Sequence, residues 1–241
     1  METIYTIPIN EKFELSMQDK SCGCPFCSLY RKLENAELDR ILGASMMEPD
    51  VRIRTNEEGF CRTHYDMMFG MKNRLGMALT MESHLHDLQK DLKDSLLGAP
   101  GQRAIRRIEK LEGSCYVCGR IEYHFSRMIE NAVEMWNVDE DFRQKYASQP
   151  YFCLPHYKRF LETAAKKLSK NRYKDLAKAA EAVEMPYLDK LSEDISWFCK
   201  KSDYRYDSEP WYDSKDAVER TIKFLRSDLH IPDKKPGGGA S

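Results

Sequence analysis

The sequence predicts an all-α fold, a tandem helical repeat that carries two zinc-knuckle-like sites of three cysteines and one histidine each. Three observations support this prediction. A CxxC motif followed by an FCxxHY motif occurs twice in the chain. Elsewhere, apolar residues recur at spacings of three to five, which is typical of helices. No region gives a convincing pattern for a sheet.

The duplicated motif is the main feature of the chain. Cys27 and Cys61 are 34 positions apart in the first copy, and Cys118 and Cys153 are 35 apart in the second. Six cysteines and two histidines fall into register: Cys24, Cys27, Cys61 and His64 in the first copy, and Cys115, Cys118, Cys153 and His156 in the second.

Each copy therefore offers three thiolates and one imidazole, which fill the four positions of tetrahedral zinc and leave none for water or substrate. Residues i and i+3 in a knuckle or a first helical turn point the same way, so each short motif presents two ligands to one ion. The sequence thus predicts two structural Zn²⁺ ions per chain, one within each copy. An iron–sulfur cluster is the main alternative metal group. Buried reduced cysteines without an ion are a further interpretation.

The chain is predicted to consist of two helical halves and a shorter C-terminal part. Gly98-Ala-Pro-Gly101 is a helix-breaking cluster. It separates an N-terminal half, residues 1–98, from a C-terminal half, residues 102–200, and each half contains one predicted site. A loop and a helix follow over 201–231. The Lys-, Pro- and Gly-rich tail, 232–241, is predicted to be disordered.

The first half is predicted to begin with an extended stretch over 4–7 and a helical turn over 11–16. After the first knuckle, apolar spacing predicts a helix from Ser28 to Leu42. A charged connector then leads to the CxxH motif. A single long helix is predicted from there to Leu96.

In the second half and the C-terminal part, the predicted helices are 102–112, 121–135, 156–168, 173–183 and 187–200, with a last one capped by Ser214. A connector over 136–150 separates the second from the third. Pro186 is expected to separate the fourth from the fifth, because proline cannot donate a backbone hydrogen bond.

Composition excludes several classes of protein. The 38 Lys and Arg residues balance 39 Asp and Glu residues, so the chain as a whole shows no attraction to a polyanion. There is no apolar run of about 18 residues or more and no signal-peptide pattern, so we expect a cytoplasmic protein without membrane contact. Eight cysteines would suit four disulfides in a secreted protein, but in that reducing compartment the CxxC and CxxH motifs are expected to be metal ligands. Phosphate loops, nucleophile elbows and HExxH are absent, so the sequence favours no enzyme class.

Three features outside the duplicated motif have both a functional and a structural interpretation. The stretch 158–178 has eight Lys or Arg and two acidic residues. It suits binding to a nucleic acid or an anionic membrane or, because aromatic residues are few, a solvated helix pair. His84 and His86 suggest a third metal site, a catalytic base or, more simply, a solvated helix face. Cys22 and Cys199 have no place in the duplicated motif, and Cys199 is predicted to be a small core residue.

The motifs resemble a bacterial family catalogued as a domain of unknown function and found mainly in Gram-positive anaerobes. The features that carry the resemblance are the opening Tyr5–Asn10, CPxC at Cys24, GFCRxHY over Gly59–Tyr65, and the recurrence near Cys115 and Cys153. The resemblance covers about residues 1–230. It implies an uncharacterised metal-binding protein and carries no activity with it.

We therefore expect a non-enzymatic cytoplasmic protein in which two zinc sites hold helices together as a platform for a protein partner. A thiol-redox or metal sensor that loses its ligands on oxidation is one alternative. A nucleic-acid-binding regulator that uses residues 158–178 is another.

Overall fold

The computed structural model describes residues 2–93 and 101–229. Within these ranges it contains eleven α-helices, three short 3₁₀ helices and no strand, which confirms the all-α fold. The helices are α1 Thr3–Gln18, α2 Pro25–Leu42, α3 Pro49–Glu58, α4 Arg62–Gly70, α5 Arg74–Leu92, α6 Gln102–Glu112, α7 Tyr116–Val138, α8 Glu140–Ala147, α9 Leu154–Lys167, α10 Lys170–Lys200 and α11 Ala217–Arg226. The tail predicted to be disordered, 232–241, and the predicted helix end at Leu96 lie outside the described residues.

The described helices form two compact units. The first unit contains the chain up to Arg31 and the chain from Ser126 onwards, and so includes α1, α8, α9, α10 and α11. The second unit, Lys32–Phe125, is inserted between these two segments and contains α3 to α6. These units do not coincide with the predicted halves, residues 1–98 and 102–200. The pairing of the candidate metal ligands, described below, gives the physical reason.

A cluster of buried aromatic side chains forms the core of the first unit. Its members are Phe13, Phe26, Phe142, Tyr146, Phe152 and Phe160. The ring centroids of Tyr146 and Phe152 are 4.8 Å apart, and those of Phe26 and Phe160 are 5.5 Å apart, as in favourable aromatic pairs. Phe26 and Phe152 are sequence neighbours of candidate ligands, so this core also forms one wall of a candidate metal site.

The N-terminal segment is one helix, α1, so the predicted extended stretch over 4–7 is wrong. Its buried residues Tyr5, Ile9, Phe13 and Ser16 recur at helical spacing. The four residues 4–7 are too few to distinguish the two-residue period of a strand from the 3.6-residue period of a helix. Pro8 lies inside the helix and removes one backbone hydrogen bond, and burial of this apolar face outweighs that loss.

The long helix predicted after the first CxxH motif is divided into α4 and α5. Lys72, between them, has a φ of 64°, which is a left-handed conformation that a helix interior does not allow. The Asn73 side chain then accepts a hydrogen bond from the Gly76 N–H at 2.9 Å and caps α5. Apolar residues keep a helical spacing on both sides of this break, so the pattern did not reveal it.

Both predicted connectors contain a short helix. Pro49 occupies the start of α3, where its fixed φ suits a first helical turn. The Asp139 side chain accepts hydrogen bonds from the backbone N–H groups of Asp141 and Phe142 and caps α8. The many charged residues on the exposed faces of α3 and α8 hid these two helices from the sequence pattern.

The two helices predicted over 173–183 and 187–200 form a single helix, α10, with Pro186 inside it. Leu176 and Ala180 are buried before the proline and Leu191 after it, so packing on both sides holds the helix continuous. At 31 residues α10 is the longest described helix. Neither α10 nor any other helix in the described ranges combines the length and apolar character needed to cross a membrane.

Candidate metal centres

Four helices begin at a ligand motif. The first cysteine of each motif lies directly before α2, α4, α7 or α9, and the second ligand is the third residue of that helix. The Cys61 carbonyl accepts a hydrogen bond from Tyr65 N at 3.0 Å, and the Cys153 carbonyl accepts one from Tyr157 N at 2.9 Å. The i, i+3 geometry therefore arises from a first helical turn. The positive end of each helix dipole favours thiolate charge there.

The structure gathers these ligands into two quartets. We call Cys24, Cys27, Cys153 and His156 the buried centre, and Cys61, His64, Cys115 and Cys118 the half-exposed centre. In each quartet the ligand atoms all lie within 4.8 Å of one another. Each centre combines the CxxC of one copy with the CxxH of the other, so the predicted pairing within each copy is wrong.

Helix lengths explain the exchanged pairing. The 18 residues of α2 carry the chain about 27 Å from the first CxxC, whereas the ten residues of α3 return it by only about 15 Å. In the second copy, α7 has 23 residues and α8 has eight. The short helices α3 and α8 therefore do not bring the chain back to the CxxC motifs at the starts of α2 and α7. The CxxH of each copy therefore meets a different CxxC.

The buried centre has the dimensions of a single tetrahedral ion. Cys27 Sγ lies 3.6 Å from Cys153 Sγ and 3.4 Å from His156 Nδ1. Cys24 Sγ lies 3.7 Å from the same Nδ1. Bonds of about 2.3 Å to sulfur and about 2.0 Å to nitrogen give tetrahedral edges of roughly 3.5–3.8 Å. The four donors are therefore placed to bind one metal ion at their common centre.

The half-exposed centre has the same dimensions. Cys61 Sγ lies 3.9 Å from Cys118 Sγ and 3.2 Å from His64 Nδ1. The same Nδ1 is 3.3 Å from Cys115 Sγ and 3.5 Å from Cys118 Sγ. All eight cysteines of the chain are free, so neither quartet contains a disulfide.

A backbone contact holds the two ligand loops of the half-exposed centre together. Tyr116 N donates to Gly59 O at 3.0 Å, and Ser114 Oγ donates to Glu58 O at 2.7 Å. Gly59 has a φ of 62°, and a Cβ there would lie 2.9 Å from a Leu111 methyl group. This turn therefore requires glycine, and it fixes Cys61 beside the start of α7.

The thiols of the half-exposed centre do not ionise alike. The hydrogen bond with Cys118 is the largest cause that lowers the pKa of Cys115 to about 3, and it outweighs burial. The same contact raises the pKa of Cys118. Burial lowers the pKa of His64, but its contacts with Cys115 and Glu34 raise that pKa to about 10. One thiolate forms readily and repels the next, so a full set of three requires a cation among them.

The buried centre shows the same pattern. Burial raises the pKa of Cys24, but contacts with the neighbouring thiols and His156 hold it well below its usual value. Contacts with Cys153 and Cys24 raise the pKa of Cys27. Nearby, the Glu184 carboxylate accepts a hydrogen bond from Phe152 N at 3.0 Å, and burial raises its pKa to about 8. The donor set and its charge balance fit a divalent ion in both centres.

A buried carboxylate orients the histidine of the half-exposed centre. His64 Nε2 lies 3.2 Å from Glu34 Oε1, and both side chains are buried. When Nε2 donates to this carboxylate, Nδ1 keeps its lone pair for a metal ion. Sequence reasoning missed Glu34 because the corresponding position in the second copy, seven residues after the second cysteine, holds Phe125. The only signal was a glutamate on the apolar face of a helix.

The other candidate residues lie outside both centres, and no third quartet of this kind occurs in the described ranges. His84 is buried and its Nδ1 lies 2.9 Å from Asn56 O, so the predicted solvated face is wrong for this residue. It supports the end of α3 just before the turn at Gly59. Cys199 is exposed rather than part of the core, because it lies at the solvated end of α10.

The basic stretch 158–178 makes several contacts within the chain. Arg159 donates to Ser126 Oγ at 2.8 Å, and Arg172 donates to Asn137 O at 2.7 Å. Lys167 forms an ion pair with Glu130 at 3.0 Å. These contacts engage three of the charges that a phosphate backbone would need, which favours the structural interpretation of the stretch.

Comparison with protein families places the chain. A family model described as a family of unknown function matches residues 1–232, which include all eight ligands. The chain belongs to DUF6062. Comparisons with curated proteins and with solved structures gave no significant match. Membership of DUF6062 brings no known activity, so a function must be argued from the two centres.

Proposed function

We propose that this DUF6062 protein binds two Zn²⁺ ions as structural, non-catalytic elements. The observation that carries the proposal is the closed donor set, with three thiolates and one imidazole at tetrahedral distances in both quartets. Four protein ligands leave no position for a water or a substrate, which is typical of structural rather than catalytic zinc. Each ion would join two helix starts and stabilise the fold.

The spacing of the donors supports a single ion over a cluster. In an iron–sulfur cluster the four protein ligands are divided among two or more iron atoms, so their donor atoms do not all lie as close together as around one ion. In each quartet here all four donor atoms lie within 4.8 Å of one another. Here Cys27 and Cys153 have sulfur atoms 3.6 Å apart. Zinc also imposes no redox demand on its ligands and prefers this mixture of sulfur and nitrogen donors.

Metal analysis tests the proposal. Protein purified under reducing conditions is expected to contain close to two zinc ions per chain. The double variant Cys22→Ser/Cys199→Ser is the matched control and should contain as much, because neither cysteine belongs to a centre. One zinc ion or none, or iron with a visible charge-transfer band, would contradict the proposal.

We extend the proposal to the setting and the role of the protein. Eight free cysteines suit a reducing compartment such as the cytoplasm. Metal centres that hold helix starts in place suit a platform for a protein partner. Retention of such a partner by the zinc-loaded chain, and its loss after zinc removal, is the outcome that supports this role.

Glu34→Gln is expected to weaken zinc binding at the half-exposed centre by about 10–100-fold, because the neutral amide no longer stabilises the charge on metal-bound His64. Competition with a chelator of known affinity measures the effect. Asp39→Asn is the matched control, since Asp39 is an exposed acidic residue on the same helix. Equal zinc affinity in the two variants would show that Glu34 has no such role.

A further inference from the structure

The two centres present the same four donors but differ in solvent access. In the buried centre, Cys24, Cys27, Cys153 and His156 have 2%, 1%, 0% and 5% of their surface exposed. In the half-exposed centre, His64 and Cys115 are buried, Cys61 is half-buried and Cys118 is exposed. A reagent dissolved in water therefore reaches the cysteines of the second centre far more easily.

Packing around the CxxC motifs accounts for this difference. Phe26, between the first pair of cysteines, lies in the aromatic core. Its ring centroid is 5.5 Å from those of Phe152 and Phe160. In the second CxxC the position of Phe26 is taken by the smaller Val117, and the other central residue, Tyr116, contacts arginine side chains. Arg40 donates to the Tyr116 hydroxyl at 2.7 Å, and the Arg54 guanidinium lies 4.9 Å from the Tyr116 ring centroid. The half-exposed centre therefore has partly exposed arginine side chains beside its CxxC, where the buried centre has aromatic ones.

We propose that the half-exposed centre is a redox-reactive site, at which a hydroperoxide oxidises Cys118 and Cys61 to a disulfide while the buried centre stays intact. This inference rests on the proposed function, because the reacting groups are thiolates held ionised by zinc. Oxidation of cysteine follows thiolate character and exposure. Cys118 is exposed, a bound zinc ion would keep its sulfur as a thiolate, and Cys61 Sγ lies within reach at 3.9 Å.

The reaction has two steps. The Cys118 sulfur attacks one peroxide oxygen, the O–O bond breaks, and the other oxygen leaves as water or an alcohol after taking a proton from solvent. The product at Cys118 is a sulfenic acid. The Cys61 thiolate then attacks this sulfur, the S–S bond forms, the S–O bond breaks, and hydroxide leaves as water with a second solvent proton. Two electrons pass from the two sulfur atoms to the peroxide.

Oxidation removes two of the four donors of the half-exposed centre. Only His64 and Cys115 remain, which is too few to hold the ion, so the protein releases it. A disulfide then joins the starts of α4 and α7 in place of the shared ion. The buried centre keeps its helix starts together meanwhile, so the chain responds to an oxidant without losing both of its centres.

The two other cysteines do not explain such a response. Cys22 is half-buried, its thiol donates a hydrogen bond to the Asp19 carboxylate at 3.7 Å, and it belongs to neither centre. Cys199 is exposed but has no ligand role. Both are replaced by serine in the test, so that every reactive thiol belongs to a centre.

The test uses the full chain with Cys22→Ser/Cys199→Ser, loaded with zinc and treated with stoichiometric hydrogen peroxide. A colorimetric chelator follows zinc release, and samples taken over time are alkylated and mapped by mass spectrometry. One of the two zinc ions is expected to leave at least about tenfold faster than the other. The early product should contain a Cys61–Cys118 disulfide, with Cys24, Cys27 and Cys153 still reduced. A thiol reductant and added zinc should restore the starting state.

Different results separate this inference from the proposed function. Release of both ions at the same rate, or first oxidation at Cys24 or Cys27, would overturn the inference and leave two-zinc binding in place. Less than two zinc ions before peroxide is added would instead refute the proposed function. Cys118→Ser is expected to keep only the ion of the buried centre and to release it at the slow rate of the parent chain. Fast release from that variant would contradict the inference.

Discussion

The double variant Cys61→Ser/Cys118→Ser is expected to retain one zinc ion per chain, because both substitutions fall in the half-exposed centre and leave the buried centre complete. Cys118→Ser/Cys153→Ser is expected to retain none, because it removes one thiolate from each centre. Three donors bind a structural ion far more weakly than four. Zinc analysis after gel filtration measures both outcomes with the same number of substitutions.

If the ligands were paired within each copy, the two variants would be expected to exchange their zinc contents. Under that arrangement Cys118→Ser/Cys153→Ser would spare the first copy and keep one ion, and Cys61→Ser/Cys118→Ser would lose both. The two variants are therefore controls for each other. Retention of one ion by both variants would contradict the premise that a centre with three donors loses its ion.

The chemistry of the centres follows from the sequence, but their assembly does not. The spacing of Cys24 and Cys27, and of the three similar pairs, requires each pair to point at one ion whatever the rest of the chain does. Which pairs meet depends on how far each helix carries the chain. That information is in helix lengths, and the short helices α3 and α8 were predicted as connectors.

Those short helices were difficult to predict for a physical reason. Only Val51, Thr55 and Asn56 are buried in α3, and only Phe142 and Tyr146 in α8. Two or three buried positions do not define a period, so each segment resembles a charged loop. Had both been identified as helices, their shortness relative to α2 and α7 would have argued against pairing within each copy.

The limits of the two compact units were also not evident from the sequence. The boundary predicted at Gly98-Ala-Pro-Gly101 rests on helix-breaking composition, and Gly98-Ala-Pro lies outside the described residues. The chain passes from one unit to the other near Arg31 and near Phe125, inside the continuous helices α2 and α7. No glycine or proline marks those positions, so composition could not reveal them.

The largest effect on stability is expected at the buried centre. Cys153→Ser should remove one zinc ion and lower the free energy of unfolding by at least about 3–5 kcal/mol, because it leaves buried ionisable groups without their shared ion. The melting temperature should then fall by about 10 °C or more. Thermal loss of helicity, recorded with excess zinc and reductant present, measures the change.

Cys61→Ser is the matched control, because Cys61 and Cys153 occupy the same position before α4 and α9. Its effect on the melting temperature should be clearly smaller. Water can solvate the groups around the half-buried Cys61, whereas Cys153 is fully buried and adjoins the aromatic core through Phe152. An equal or larger loss for Cys61→Ser would mean that the half-exposed centre, not the buried one, carries most of the stability, and that oxidation of Cys118 and Cys61 would endanger the whole fold.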